Sequence, residues 1–303
     1  MYHDWTKGPN QEEPLLRFKG IDIIVRGEVH TISGQTACCK SLLALDLMSA
    51  GINVNHHSSL SVTATSDLKV LLIDTEQSAG TINQRLNQIL SKAIEDRGVD
   101  KVCERLLVMK LDTLSPKEII EQITISLTEV KPDLVIIDGV VDMTENFNDP
   151  YESRRLVQLL RNIAVQYNLA VIALIHENPH TDKARGHLGT FLLQKSWRAW
   201  SLERMGGVIK VNCVKARGEG HQPFAFSLKA NLGLLEVPVP ESGRDKIACK
   251  DLILLLLQRG HIKRCDLYKL LSPYKAPRTI ENEVSKLIAT NRVVEKKDTL
   301  ALA

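Results

Sequence analysis

The segment GQTACCKS at residues 34–41 follows an apolar run, VHTIS (29–33), and continues into SLLALDLMSA. A strand, a glycine-led loop and a helix in that order make a site for phosphate, because loop amides and the open helix N-terminus both point at the anion. On this reading Gly34, Gln35, Thr36, Ala37, Cys38 and Cys39 contribute backbone N–H groups. Lys40 reaches the β- and γ-oxygens of a nucleoside triphosphate such as ATP, and the Ser41 hydroxyl ligates Mg2+. A Walker A loop wants glycine where Cys39 stands, since a Cβ there crowds the approach of backbone to phosphate. The plainer alternative for this stretch alone is a strand, a turn and a helix bearing a surface lysine.

Carboxylates follow at the right places. LLIDTEQ ends an apolar run with Asp74 and Glu76, and a carboxylate within one water of a γ-phosphate can orient or deprotonate the attacking water, which makes Glu76 the candidate general base. Asp74-Thr75 could instead cap the following helix. LVIIDG places Asp138 at the end of a fully apolar run, where an ionised carboxylate needs a cation or several donors. That suits a Walker B aspartate reaching Mg2+ through water, with a helix-capping aspartate as the alternative. AVIALIHE ends in His176, placed to sense the γ-phosphate and relay its loss, although a lone histidine is more often structural.

Two further sets carry charge. The polar stretch ENPHTDKARGHLGT holds Lys183, Arg185 and His187, and reads as a loop facing a single-stranded DNA channel or simply solvent. VIKVNCVKAR holds Lys215 and Arg217, two apart and so on one strand face before a Gly-rich turn. An arginine there, reaching across a subunit boundary, neutralises charge developing on a transferred phosphoryl group; two exposed strand residues are the alternative.

These residues need a scaffold that brings strand ends together. The apolar runs VHTIS, KVLLID (69–74), LLVMKL (106–111), DLVIID (133–138) and AVIALIH (170–176) alternate with helical patterns near 40–50, 79–95, 116–130 and 150–167. That alternation predicts an α/β domain with a mainly parallel sheet, and ligands bind such sheets at the carboxyl ends of the strands. WSLER, VIKVNCVKAR and FAFSLKANLGLLEV, separated by Gly-rich turns, read as antiparallel strands extending it, so the sheet is expected to be mixed. The expected division is an irregular arm with a short extended piece at 1–28, the ATPase domain at 29–237, a Pro/Gly linker at 238–246 and a small domain at 247–303. The last reads as helices 247–258, 264–271 and one from Pro277 to about 290, then strands RVVEKK and TLALA. That is the winged-helix pattern, a module for duplex DNA. Its third helix presents Arg278, Thr279 and Asn282 to base edges, and the wing offers Lys296 and Lys297 to phosphate. Such modules also mediate protein contacts.

Composition agrees. With 303 residues the chain can bury a large core and a small one without staples. The longest apolar run, Leu252 to Leu257, is too short to span a bilayer, so no membrane partner is expected. Residues 1–14 are polar and acidic, unlike an export signal, which points to the cytosol. The cysteines, Cys38, Cys39, Cys103, Cys213, Cys249 and Cys265, show no metal-ligand spacing and are expected to be reduced. Net charge is +3, yet residues 244–303 hold 13 Lys and Arg against 7 Asp and Glu, which leaves −3 for the rest. The basic C-terminal part suits a polyanion, or is a solvated face.

The ordered set GQTACCKS, LLIDTEQ, LVIIDG, LIHE, ARGHLGT and VKARGEG, over about residues 18–237, resembles the RecA/DnaB superfamily, and within it the RepA-like hexameric helicase ATPases of plasmids and mobile elements. The resemblance implies roles for Lys40 and Ser41 on Mg-ATP, for Glu76, Asp138 and His176 in hydrolysis, and for Lys215 with Arg217 acting in trans. It also implies homo-oligomeric rings, commonly hexamers, that translocate on single-stranded DNA. Cys39 departs from the pattern and divides two functions: a DNA motor or loader that hydrolyses ATP, and a DNA-binding accessory or regulatory protein with a weakly active P-loop. A small-molecule kinase fits poorly, because no separate arginine-rich lid segment is present.

Overall fold

Four of the five apolar runs become parallel strands buried on both faces, and the fifth, residues 106–110, is a half-exposed strand at the sheet edge. The computed structural model describes residues 13–53, 58–178, 184–229, 233–239, 249–258, 260–271 and 277–302. It contains two compact units, residues 1–202 with 212–222, and residues 203–211 with 223–303.

In the first unit the chain runs through β1 (Pro14–Phe18), β2 (Ile21–Val25), β3 (Val29–Gly34), α1 (Lys40–Ile52), β4 (Val62–Ala64), β5 (Val70–Asp74), α2 (Ala79–Arg97), α3 (Val99–Cys103) and β6 (Leu106–Lys110). It continues through α4 (Pro116–Val130), β7 (Leu134–Asp138), α5 (Pro150–Gln166), β8 (Ala170–His176), α6 (Gly186–Lys195) and β9 (Arg198–Met205). Six parallel strands lie in the order β9-β3-β8-β7-β5-β6. Every residue of β5 and β7 is buried, as strands covered by helices on both faces require. Leu71, Ile73, Val135, Ile137, Val171 and Ala173 of the sheet pack with Ile119, Ile123 and Leu127 of α4 and Leu156 and Leu160 of α5. Burying each large side chain contributes about 1.5–3 kcal/mol. Helix starts are written locally. Ser115 and Glu118 form a capping box before Pro116, Asp149 caps α5 ahead of Pro150, and Ser78 caps α2. No helix among the described residues is long and apolar enough to cross a membrane.

Two expectations change. The segment expected to be an irregular arm with one short extended piece is, from Pro14 onward, a hairpin of two strands, β1 and β2, whose β1 also pairs with β4. Lys19 (φ 51°) and Gly20 (φ 86°) make its two-residue turn in the left-handed region, the geometry that matches strand twist. The polar stretch after β8 is only partly a loop: from Gly186, including His187, Gly189 and Thr190, it is the helix α6.

The second unit takes in the ends of β9 and the first part of β10 (Val208–Ala216), then β11 (Phe224–Lys229), β12 (Gly233–Val237), α7 (Cys249–Leu257) and β13 (Ile262–Lys263). It ends with α8 (Arg264–Leu271), α9 (Pro277–Ala289), β14 (Val293–Lys296) and β15 (Thr299–Leu302). β10, β11 and β12 are antiparallel, so the strand set is mixed. The last three strands form a sheet in the order β13-β15-β14. The units divide inside β9 and β10 and not at 238–246, of which 240–246 lie outside the described residues. The physical reason is one shared core: Val208, Ala225, Leu235 and Val237 bury with Leu252, Ile253, Leu267, Ile280, Val284 and Leu300.

Candidate nucleotide-binding site

The site assembles where β3, β5, β7 and β8 end. Gly34 closes β3, and a Cβ at that position would stand 2.9 Å from the Leu202 carbonyl oxygen, so only glycine lets β3 and β9 approach this closely. The loop that follows turns sharply, with Ala37 (φ 64°) and Cys39 (φ 60°) both in the left-handed region. α1 then starts without the side-chain cap that α2, α4 and α5 each have, and without the acidic first-turn residue of α4 and α5. Its amide end and the positive pole of its dipole are therefore left for an anion.

Lys40 is buried, and its ammonium is fully engaged. Nζ donates to the carbonyl oxygens of Gly34 (2.9 Å) and Gln35 (3.0 Å) and lies 3.1 Å from His176 Nδ1. Burial pushes its pKa down, opposed by the negative groups around it, Glu76, Asp138 and Glu177 among them. The other ring nitrogen, His176 Nε2, stands 3.3 Å from Glu76 Oε2. That hydrogen bond, with the charges of Lys40 and Arg185, holds the Glu76 carboxyl below its usual range against the effect of burial. Glu76 is a carboxylate.

Asp74 and Asp138 are register partners at the ends of β5 and β7. Asp138 is buried, which raises its pKa to about 6 despite a hydrogen bond from Ser41 and the charge of Lys40; burial raises Asp74 as well. Gln77 joins them, its Nε2 donating to Asp74 Oδ2 (2.6 Å) and Asp138 Oδ2 (2.7 Å), while Arg85 donates to its Oε1. Thr75 Oγ1 donates to Asp142 Oδ2 at 2.7 Å, close over Gly139, whose missing Cβ makes the room. Glu177 ties the strand ends laterally by accepting from Ser33 Oγ and Ser201 Oγ, each at 2.7 Å.

The structure thus gathers Lys40, Ser41, Glu76, Asp138 and His176 around one loop. The N-cap of α2 is Ser78, while Asp74 Oδ1 accepts the backbone N–H groups of Glu76 and Gln77 in the turn ahead of that helix, and the Asp138 side chain faces Ser41 and Gln77. Gln77, Arg85, Thr75 and Glu177 were not assigned from sequence. Within this single chain Lys215 and Arg217 are elsewhere. Lys215 Nζ donates to the carbonyl oxygens of Leu193 and Gln194, and Arg217 to that of Lys195, so both hold the C-terminal end of α6. Arg185 lies over the Phe147 ring, 4.7 Å from its centroid, and His187 stacks on Phe191; Lys183 lies outside the described residues. Arg278, Thr279 and Asn282 are exposed on α9, and Lys296 and Lys297 are exposed at the β14–β15 turn.

A profile of the AAA domain family matches residues 4–182, a span that holds the loop, Glu76, Asp138 and His176 and stops short of Lys215. Among solved structures the chain is similar to that of a KaiC-like protein from the hyperthermophilic archaeon Pyrococcus horikoshii. The TM-score is 0.52 at 12% identity, covering 72% of this chain and 92% of that one. At that identity the likeness is one of fold, a RecA-like α/β sheet. No curated protein matches the chain.

Proposed function

This chain belongs to the AAA domain family of P-loop ATPases, and from that premise we propose that it hydrolyses ATP to do work on DNA, as a motor or loader of the RepA-like and DnaB-like kind. The observation that carries the hydrolytic part is the connected series Lys40–His176–Glu76 beside the phosphate loop. A carboxylate held ionised by its neighbours is suited to orient and deprotonate water, and Lys40 offers a point cation to β- and γ-oxygens. The open start of α1 and the buried Asp138–Ser41 pair fit an Mg-nucleotide. When held by the Ser41 hydroxyl and, through water, by Asp138, Mg2+ would supply positive charge against the developing negative charge of phosphoryl transfer. His176 spans loop and base, so it is placed to respond when the phosphate contact of Lys40 changes.

Work on DNA rests on the rest of the chain. Lys215 and Arg217 cap α6 in their own subunit and serve a neighbour's phosphates in a homo-oligomeric ring, commonly a hexamer, with Lys183 and Arg185 toward single-stranded DNA. The C-terminal order helix, strand, helix, helix, strand, strand matches a winged helix, with α9 as the helix that reads duplex DNA. Two acidic residues of α9 are already engaged: Glu281 accepts from Arg264 and Tyr268, and Glu283 from Lys286. The DNA-facing side of α9 is therefore less acidic than its composition.

A second reading is favoured by Cys39, a non-glycine residue in left-handed backbone at the loop. On it, the P-loop turns over slowly and the protein is a DNA-binding accessory or regulator. ATP turnover measured with and without single-stranded DNA separates the two. Stimulated hydrolysis supports the motor, and DNA binding without turnover supports the accessory.

A further inference from the structure

We propose that Gln77 is a positioning residue that keeps the divalent-cation site closed until the cation arrives, its side-chain amide standing between Asp74 and Asp138 in the place of the cation's charge. The inference rests on the reading of this loop as an Mg-nucleotide site.

Asp74 and Asp138 face each other across neighbouring parallel strands, both buried, so their carboxylates repel unless something positive or hydrogen-donating lies between them. Gln77 Nε2 does so, with 2.6 Å and 2.7 Å bonds that use both of its hydrogens. Arg85, a donor only, binds Oε1, and so fixes which end of the amide faces the carboxylates. The backbone N–H of Gln77 separately holds Asp74 Oδ1 at 2.7 Å, so the side chain can turn away while the residue stays anchored.

Space argues the same way. The cavity that Ser41, Asp74, Gln77, Arg85 and Asp138 share with apolar side chains of α1, α2 and the sheet measures about 10 Å³. That holds roughly one water, whereas Mg2+ keeps several of its waters. The hydrated ion and the Gln77 amide cannot occupy this space together. Cation entry therefore breaks two hydrogen bonds to carboxylates, and the amide competes with the cation for Asp74 and Asp138. Asp74 becomes a second carboxylate of the cation site.

The test uses the full-length chain with Mn2+ alone as the probe, free Mn2+ being counted by electron paramagnetic resonance. Gln77→Ala removes the competitor and is expected to tighten Mn2+ binding about tenfold, the effect of losing a net hydrogen bond to a charged group. Gln77→Met, similar in size and uncharged but without the donor, should also tighten it, and Asp74→Asn in the Gln77→Ala background should abolish the gain. Melting in chelator checks that each variant is folded. A residue with only a structural role predicts unchanged or weaker Mn2+ binding in both Gln77 variants, and that result overturns the inference. Titration of the wild-type chain with ADP in chelator tests the nucleotide site separately, because the amide does not compete with ADP for Lys40 or the loop.

Discussion

Lys40 and His176 are joined directly, Nζ to Nδ1 at 3.1 Å. An ammonium only donates, so Nδ1 accepts and the ring hydrogen sits on Nε2, which gives it to Glu76. The Lys40 ammonium and the Glu76 carboxylate are thus linked through one imidazole. His176→Ala should leave nucleotide affinity within a few-fold, because Lys40 keeps its contacts to Gly34 and Gln35. It should lower turnover on the order of 100-fold, the usual worth of a positioned acid–base group. Calorimetry with ADP beside single-turnover hydrolysis reads both numbers. Equal losses in the two would put His176 in binding and not in the relay.

Cys39 holds φ 60° at the first helical boundary of α1, and its side chain makes no capping bond. An L-residue in that region costs about 1–2 kcal/mol that glycine does not. Cys39→Gly is therefore expected to raise unfolding free energy by about 1 kcal/mol in chemical denaturation, part of the gain being offset by the looser unfolded chain. The same change removes the Cβ beside the phosphate path, so nucleotide affinity should rise as well. If stability rises and affinity does not, the Cβ is accommodated and the active-enzyme reading gains.

Asp46 lies in α1 with no exposure, one oxygen accepting from the Ser59 amide at 2.9 Å and the other without a partner among the described residues. Burial raises its pKa from 3.8 to about 6. The folded chain therefore binds a proton that the unfolded chain has released between pH 4 and 6, and this group's contribution to stability falls as pH rises through that window. Asp46→Asn keeps the acceptor and removes the ionisation. Relative to wild type it should be more stable at pH 7, by no more than about 3 kcal/mol, with the advantage fading toward pH 4. A difference that is the same at both pH values would show that Asp46 is not the titrating group.

Most of the parallel strands were legible because burial on both faces leaves continuous apolar runs; Asp138 and His176 stand where such runs stop, Glu76 just past one, and Lys40 where the loop after one meets a helix. The hairpin of residues 14–25 was not, since Lys19-Gly20 is a weaker turn signal than Asn-Gly. Gln77 stands next to Glu76 in LLIDTEQ, yet its role depends on Asp138 being the register partner of Asp74, a pairing 64 residues apart in sequence. The unit boundary inside β9 and β10 was hidden for a similar reason: it follows from where Val208, Ala225 and Leu235 bury, not from the composition of a linker. Lys215 and Arg217 show the opposite case, a spacing recognised in sequence whose partners in one chain are the carbonyls of α6.

The C-terminal helices yield the last prediction. α9 buries Ile280, Val284 and Leu287 and exposes Arg278, Thr279 and Asn282, the spacing of a helix with one face in the core. Arg264 pins Glu281 of α9 and Glu295 of β14 together, at 3.2 Å and 2.7 Å, so α9 and β14 are held as one surface. Across the turn Lys297 (φ 49°) and Asp298 (φ 60°) adopt left-handed backbone, which leaves Lys296 and Lys297 exposed at its tip. If that surface meets duplex DNA, the lysines contact phosphate and supply affinity without sequence information, while Arg278 contributes base contacts. The full-length chain should then bind duplex DNA with affinity that falls steeply with salt through counterion release. Reversing both lysines to glutamate should flatten the log–log salt slope by about 2, roughly one for each phosphate no longer neutralised. Arg278→Ala should weaken preferred sites by about 1–3 kcal/mol and random sequence much less. Fluorescence anisotropy from about 50 to 200 mM salt, the range over which counterion release changes affinity most visibly, reads all three. A slope that the lysine reversals leave unchanged would move DNA binding away from this unit and make the α9 face a protein-docking surface.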